Sequence, residues 1–189
     1  KALEVAREGT RRFPYVLKLD VRKYFASIDH QILNAKLERV IKCKPTLGLA
    51  GKIIAGWNRQ EEVIQYFDGD NLFTPFERRR GLPLGNQTSQ FFANVYLDGL
   101  DRLIDQKLQP GLWARYVDDV VLFGGDKQRL RAMRELVEQE LHAARLTLHP
   151  GKSRIHQCAD GVTFLGWRLL GGRARLASGN VVRFGRRMK

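Results

Sequence analysis

Cysteine is scarce in this chain, two residues in 189, and Cys43 and Cys158 stand far apart in the sequence. Their spacing matches neither a metal-ligand pattern nor a redox pair, so a cysteine-held metal and a dithiol centre are excluded, and both read as reduced thiols in a cytoplasmic setting. No apolar run approaches the roughly 18 residues that a membrane span requires, which excludes a transmembrane helix. No basic-then-apolar leader opens the sequence, so nothing argues for secretion. Repeats and low-complexity segments are also missing. Acids are the remaining shortfall: 20 Asp+Glu stand against 33 Lys+Arg, for a net charge of +13 and a pI near 10.2.

That imbalance points to a polyanionic partner, most often nucleic acid, against the plainer reading of a basic surface kept solvated. Its distribution favours the first. From Gly171 to Lys189 the bases Arg173, Arg175, Arg183, Arg186, Arg187 and Lys189 occur without one acid, and "FERRRGLPLG" sets Arg78, Arg79 and Arg80 beside a glycine-punctuated loop. Otherwise the composition, 43% hydrophobic and 28% charged, is that of an ordinary globular protein with one large domain or two small ones.

Periodicity predicts a helix over residues 1–9, then a strand over Tyr15–Val21 with alternating apolar positions. "IDHQILNAKLERVIK" predicts an amphipathic helix, with Ile28, Ile32, Leu33, Leu37, Val40 and Ile41 on one side and Asp29 as its cap. Pro45 is expected to end it, with a second helix over Leu47–Trp57. "EEVIQYF" reads as a strand, "DGDN" as a turn, and Phe76–Arg80 as a further short strand. The longest helix is expected from Gln87 to about Leu108, with Phe91, Phe92, Val95, Leu100, Leu103 and Ile104 on its apolar side. After a hairpin over residues 114–123, "KQRLRAMRELVEQELHAA" predicts a surface helix, its Leu130, Met133, Val137, Leu141 and Ala144 facing inward. "LTLHPGKSRI", "VTFLGWRLL" and "RARLAS" read as short strands. Elements in this irregular order suit an α+β domain, an antiparallel sheet with helices packed on one face.

Two places break the apolar pattern. In "ARYVDDVVLF", Asp118 and Asp119 sit side by side among β-branched and aromatic residues, where desolvation and repulsion both oppose them. In "YVLKLDV", Asp20 occupies the end of an apolar strand. Each could merely cap a strand or decorate a turn, but a hairpin Asp is usually followed by Gly, and here Val120 follows. If the fold sets these strands together, three carboxylates meet at a sheet edge. Magnesium answers such a charge problem, being hard and held by carboxylates plus substrate phosphates. Two ions about 4 Å apart stabilise both attacking and leaving oxygens in phosphoryl transfer.

These residues carry a resemblance. "YVDD" at 116–119 resembles the catalytic hairpin of reverse transcriptases, and "LKLDVRKYFASIDH" is similar to their first palm motif. "GLPLGNQTSQFFANVYLDGLD" resembles their substrate-binding loop and helix, while "LTLHPGKSRI" and "FLGWRLL" resemble the two later palm motifs. The order is kept from about residue 15 to residue 170. Bacterial group II intron enzymes usually read P-Q-G and then S-P across the substrate loop, where this chain has Pro83-Leu84-Gly85 and Ser89-Gln90. The "SQ" form resembles the enzymes of diversity-generating retroelements.

The resemblance implies a palm over 1–170 and a basic start of a thumb or connection over 171–189, with the fingers largely missing and the thumb only begun. It implies an RNA-directed DNA polymerase, with a group II intron-type or defence-associated enzyme, an RNA-copying RNA polymerase and a non-catalytic nucleic-acid-binding palm as competing readings. Asp20, Asp118 and Asp119 would be catalytic and hold two Mg²⁺, for which Mn²⁺ can substitute, with the Val21 carbonyl completing one shell. Phe25 would exclude a 2′-hydroxyl, unless it is a core aromatic. Leu84, Gly85, Asn86 and Gln87 would border the incoming dNTP, and Lys152 would neutralise or protonate the pyrophosphate, unless it is a solvated turn lysine. Ser89, Gln90, Tyr116, Phe164, Leu165, Gly166 and Trp167 would support primer and template, although the last four could equally be sheet core. The partners implied are an RNA template, a DNA or RNA primer and dNTPs, with room for a basic accessory protein and none for a membrane. Only nineteen residues precede Asp20, so weak or absent polymerase activity is expected of this chain in isolation.

Overall fold

The computed structural model describes residues 1–56, 63–179 and 186. The expected helix end at Trp57, the start of the expected strand at 61–67, and Arg183, Arg187 and Lys189 of the basic segment lie outside the described residues. In chain order the elements are α1 (Ala2–Arg12), β1 (Tyr15–Asp20), α2 (Tyr24–Ser27), α3 (His30–Val40), α4 (Lys44–Ala55), α5 (Thr74–Glu77), α6 (Gln87–Tyr96) and α7 (Asp98–Arg102). A π-helical turn over Leu103–Leu108 follows, then β2 (Leu112–Tyr116), β3 (Asp119–Gly124), α8 (Lys127–Ala143), β4 (Arg154–Gln157), β5 (Val162–Phe164), β6 (Trp167–Leu170) and β7 (Arg173–Leu176). The chain is thus α+β. Among the described residues no helix is long and apolar enough to cross a membrane.

The chain divides into two compact units. One comprises Lys1–Asp20, Ile104–Leu136 and Leu148–Lys189, the other Val21–Leu103 and Val137–Thr147. In the first, a four-stranded antiparallel sheet runs β2-β3-β1-β4 and a three-stranded one runs β5-β6-β7. Val16, Val121, Phe123, Ala114, Phe164 and Leu169 bury one core with Ala6 of α1. α1 lies close because Gly9 has no side chain: a Cβ there would come 2.5 Å from the Phe123 ring. Asp126 starts α8 by accepting from the Gln128 and Arg129 amides, as an N-cap carboxylate does.

In the second unit Asp29 caps α3, accepting from the Gln31 and Ile32 amides. Leu33 and Leu37 of α3 and Phe92, Ala93 and Tyr96 of α6 are buried. Segment 79–82 runs beside 25–30, with His30 N–H donating to Arg79 O, Gly81 N–H to Ile28 O and Leu82 N–H to Phe25 O.

Several expectations are corrected. α4 begins at Lys44 with Pro45 in its first turn, a position that needs no amide donor; Pro45 opens this helix rather than merely closing the one before. Residues 63–67 form no strand, and Ile64 and Tyr66 are exposed. Residues 74–77 form the short helix α5, again opened by a proline, Pro75, and the expected strand shrinks to one bridge between Arg80 and Asp29. The stretch 87–108 is three pieces, broken at Leu97. α8, at 17 residues, is therefore the longest helix among the described residues. Phe91 and Val40, expected on apolar faces, are exposed. Of "LTLHPGKSRI" only the end, from Arg154, is strand.

Candidate active site

β1 ends at Asp20, and its backbone is fixed from both sides. The Asp20 amide donates to Ser153 Oγ at 3.2 Å, that hydroxyl lies 3.3 Å from Asp20 O, and the His149 amide donates to the same carbonyl at 2.7 Å. Ser153 is fully buried, so its hydroxyl is shielded from water. The antiparallel register of β1 with β3 sets Asp20 directly opposite Asp119. Cross-strand partners share a face of the sheet, which brings together two carboxylates from distant parts of the sequence.

Asp118 joins them through the hairpin. Tyr116 of β2 pairs with Asp119 of β3, leaving Val117 and Asp118 as a two-residue connection. Val117 has φ 57°. Successive residues in a strand point to opposite faces, and this turn releases Asp118 from that alternation. Burial pushes the Asp118 carboxyl above the ordinary range, as do the charges of Asp119 and Asp20, while Lys152 acts against them. Burial likewise raises Asp119, countered by Lys18 and aided by Asp20. Asp118 and Asp119, both held above the ordinary carboxylate range, mark a site short of positive charge.

Two lysines supply part of it. Lys152 Nζ is 3.3 Å from Asp20 Oδ2. Lys18 Nζ is 3.9 Å from Asp119 Oδ1 and donates to Thr163 O at 3.1 Å. Lys18 and Asp119 are diagonal neighbours across the β1–β3 ladder, a separation that a long side chain spans.

Among the described residues no three His, Cys, Asp or Glu side chains are already gathered as a metal-holding group. In donor kind and charge the site nevertheless fits a divalent cation: hard carboxylate oxygens, partly withdrawn from water, with burial and then neighbouring charge pushing the Asp118 and Asp119 carboxyls above the ordinary range. Val21, whose carbonyl the sequence nominates, follows Asp20 in the chain and is buried.

The other nominated residues of this unit fall around the two hairpins. Tyr116 is exposed at the end of β2. Phe164 is wholly buried in the core at the end of β5. Leu165 (φ 50°) and Gly166 (φ 79°) form that turn, and Trp167 is half-buried and pairs with Phe164. The second unit holds the rest. Phe25 lies in α2, half-buried, with its ring edge against Tyr24. The Leu82–Phe25 backbone bond brings the loop carrying Leu84, Gly85 and Asn86 to its side. Leu84 is exposed, Gly85 adopts φ 92°, and Asn86 is the first residue before α6, with no side-chain capping bond. Gln87 and Gln90 are exposed on α6, whereas Ser89 is buried.

Sequence reasoning missed Lys18, His149 and Ser153, which contact Asp119 or the Asp20 backbone, and Arg115, which donates to the Val117 carbonyl in the turn before Asp118. For Lys18 a signal existed: a lysine two residues before Asp20 shares its strand face. His149 and Ser153 act through backbone contacts across the fold that no spacing announces.

Comparison with known proteins matches residues 4–169 to the family model for reverse transcriptase (RNA-dependent DNA polymerase). Protein YkfC of Escherichia coli (strain K12) is 23% identical, over 95% of this chain and 53% of its own length. Among solved structures, telomerase from Candida tropicalis, in complex with a TWJ fragment of telomeric RNA, superposes with a TM-score of 0.60 at 14% identity, covering 93% of this chain and 32% of its own. Telomerase from Candida albicans, in a similar complex, gives 0.57 at 16% identity, covering 94% and 34%. At these identities the structural likeness is one of fold. The chain spans about half the length of the curated relative and about a third of each telomerase chain.

Proposed function

This chain belongs to the reverse transcriptase (RNA-dependent DNA polymerase) family, and on that footing we propose that it is the palm of an enzyme that extends a primer with deoxynucleotides on an RNA template. The observation that carries the reading is the β1–β3 register that sets Asp20 opposite Asp119, with Asp118 in the adjoining turn, where the charges of both act on it. The family uses divalent metal ions; we assign Asp20, Asp118 and Asp119 to hold them, as Mg²⁺ or Mn²⁺. When bound, such ions would make the attacking hydroxyl more acidic and neutralise charge on the leaving group.

The reaction is in-line: the primer 3′-oxygen forms a bond to the α-phosphorus, the α–β phosphoanhydride breaks, and pyrophosphate departs. Lys152, at rest against Asp20, is the group we place to meet the charge on that pyrophosphate. The hydroxyl proton leaves to solvent. Phe25 selects deoxynucleotides by filling the space of a 2′-hydroxyl, and Gly85, Asn86 and Gln87 offer backbone amides at the start of α6. The Leu165–Gly166 turn and Trp167 support the primer end. The Ser89-Gln90 pair favours a diversity-generating retroelement as the source of the enzyme.

A second reading, a palm that binds nucleic acid without chemistry, draws on the lysine-paired acids and the lack of a pre-gathered metal group among the described residues. Primer extension by the full-length protein on an RNA template separates the two. The wild type is expected to extend the primer and Asp118→Asn to lose at least about 100-fold in rate. Equal rates would overturn the polymerase reading, and a wild type that binds RNA but never extends would establish the second.

A further inference from the structure

The hairpin that presents Asp118 is built on a residue poorly suited to it. Tyr116 and Asp119 close the ladder, so Val117 and Asp118 are the central residues of a two-residue turn. Val117 has φ 57°, and Asp118 does not share the positive φ. Positive φ at the first central residue alone is the type II′ pattern, whose usual occupant is glycine. A β-branched residue there is a genuine outlier, because its Cβ substituents crowd the neighbouring carbonyl. Such a conformation persists only where surrounding structure enforces it.

The enforcing group is at hand. Arg115, on β2 opposite Val120, donates from Nη1 to the Val117 carbonyl at 2.9 Å. A bond from a guanidinium is stronger than one between neutral groups. The carbonyl it takes belongs to the peptide linking Val117 to Asp118. Fixing that oxygen fixes the plane of the peptide, and with it the direction in which Asp118 leaves the turn.

Resting on the polymerase reading above, we infer that Arg115 is a positioning residue: by clamping the Val117 carbonyl it holds the strained turn in the conformation that directs the Asp118 carboxylate toward Asp119 and Asp20. Valine contributes stiffness to the same end. Glycine would adopt the turn at lower cost and many other conformations besides, whereas a β-branched residue held by Arg115 has few.

A coupling experiment in the full-length protein tests this, using wild type, Arg115→Ala, Val117→Gly and the double variant. Mn²⁺ affinity is read by electron paramagnetic resonance without substrate, alongside kcat and the KM for dNTP. In the wild-type background Arg115→Ala is expected to weaken Mn²⁺ binding about 10-fold and lower kcat, with KM little changed. In the Val117→Gly background, where the turn costs less, the same substitution should weaken Mn²⁺ binding no more than about 3-fold. Equal losses in both backgrounds would show that Arg115 acts elsewhere and overturn the inference, as would unchanged Mn²⁺ affinity in a folded Arg115→Ala protein. If Arg115→Ala does not fold, Arg115→Lys, which keeps a donor for the carbonyl but not the planar fork, replaces it in the same cycle with the same criterion. Asp118→Asn in parallel keeps the two questions apart. Undiminished extension by that variant sinks the polymerase reading, while the Mn²⁺ cycle still decides what Arg115 does.

Discussion

Arg145 Nη1 lies 2.7 Å from Asp29 Oδ2, joining residues 116 apart in the chain. Arg78 reaches the same oxygen at 3.5 Å and also pairs with Asp70. Asp29 is only 1% exposed and caps α3 as well, so one side chain serves both a helix start and a buried ionic group. Asparagine caps nearly as well as aspartate but carries no charge, which lets the two duties be separated. Asp29→Asn is expected to keep α3 and still cost about 3–5 kcal/mol in denaturant unfolding, because Arg145 loses its counter-charge and Arg78 keeps only Asp70. A loss below about 1 kcal/mol would show that the ion pairs contribute little beyond the cap.

The elements legible in the sequence are those whose pattern is local. β1, α3 with its Asp29 cap, the β2–β3 hairpin and α8 all follow from periodicity and capping chemistry. The misread stretches are those where local signals compete. In 63–67 β-formers are present but Ile64 and Tyr66 have no face to bury, and in 74–77 Pro75 opens a helical turn. Along 87–108 the apolar spacing runs on, while Gly99 lowers helix propensity and lies where a Cβ would strike the Glu140 side chain. At the candidate site, Asp20, Asp118 and Asp119 draw the eye in the sequence because acids are out of place in apolar strands, and the β1–β3 register sets the first opposite the last. Ser153 was not, since its contact with Asp20 spans 133 residues and an isolated serine in a turn carries no signal.

The two thiols should behave oppositely. Cys43 is exposed, and hydrogen bonds from Thr46 hold its thiol pKa below the ordinary value; Cys158 is buried, which pushes its thiol up to about 11. At neutral pH a maleimide is expected to label one thiol quickly and the second only after unfolding. Because an unfolded thiol ionises near 8.5, Cys158 leaves stability untouched below that pH and reduces it as pH rises from there toward 11. Cys158→Ala should flatten that alkaline decline, and labelling of both thiols at equal rates in the native protein would contradict the burial argument.

Phe25→Ala tests the choice of sugar. Removing the ring should raise the relative use of ribonucleotides by about 10-fold or more in the full-length protein, mainly through a lower KM for rNTP. Primer extension with matched dNTP and rNTP pairs measures it. A variant that loses activity with both and gains no ribonucleotide use would make Phe25 a core aromatic beside Tyr24.

Lys18 stands between opposing effects. It sits two residues before Asp20 on the same strand face, 3.9 Å from Asp119, with its other bond to Thr163 O. A positive charge there competes with any cation that the carboxylates bind. Removing it should therefore strengthen cation binding, by roughly 1 kcal/mol at this separation in a partly wet site, or about 5-fold. The same removal frees Asp119 from its tie to β5, which should lower kcat. Lys18→Met is thus expected to bind Tb³⁺ more tightly, read by luminescence, while extending primers more slowly. Arginine keeps the charge and the reach, so Lys18→Arg should restore the wild-type Tb³⁺ affinity. Tighter binding with unchanged kcat would reduce Lys18 to a counter-charge, and weaker binding would show that its hold on Asp119 outweighs its competition with the metal.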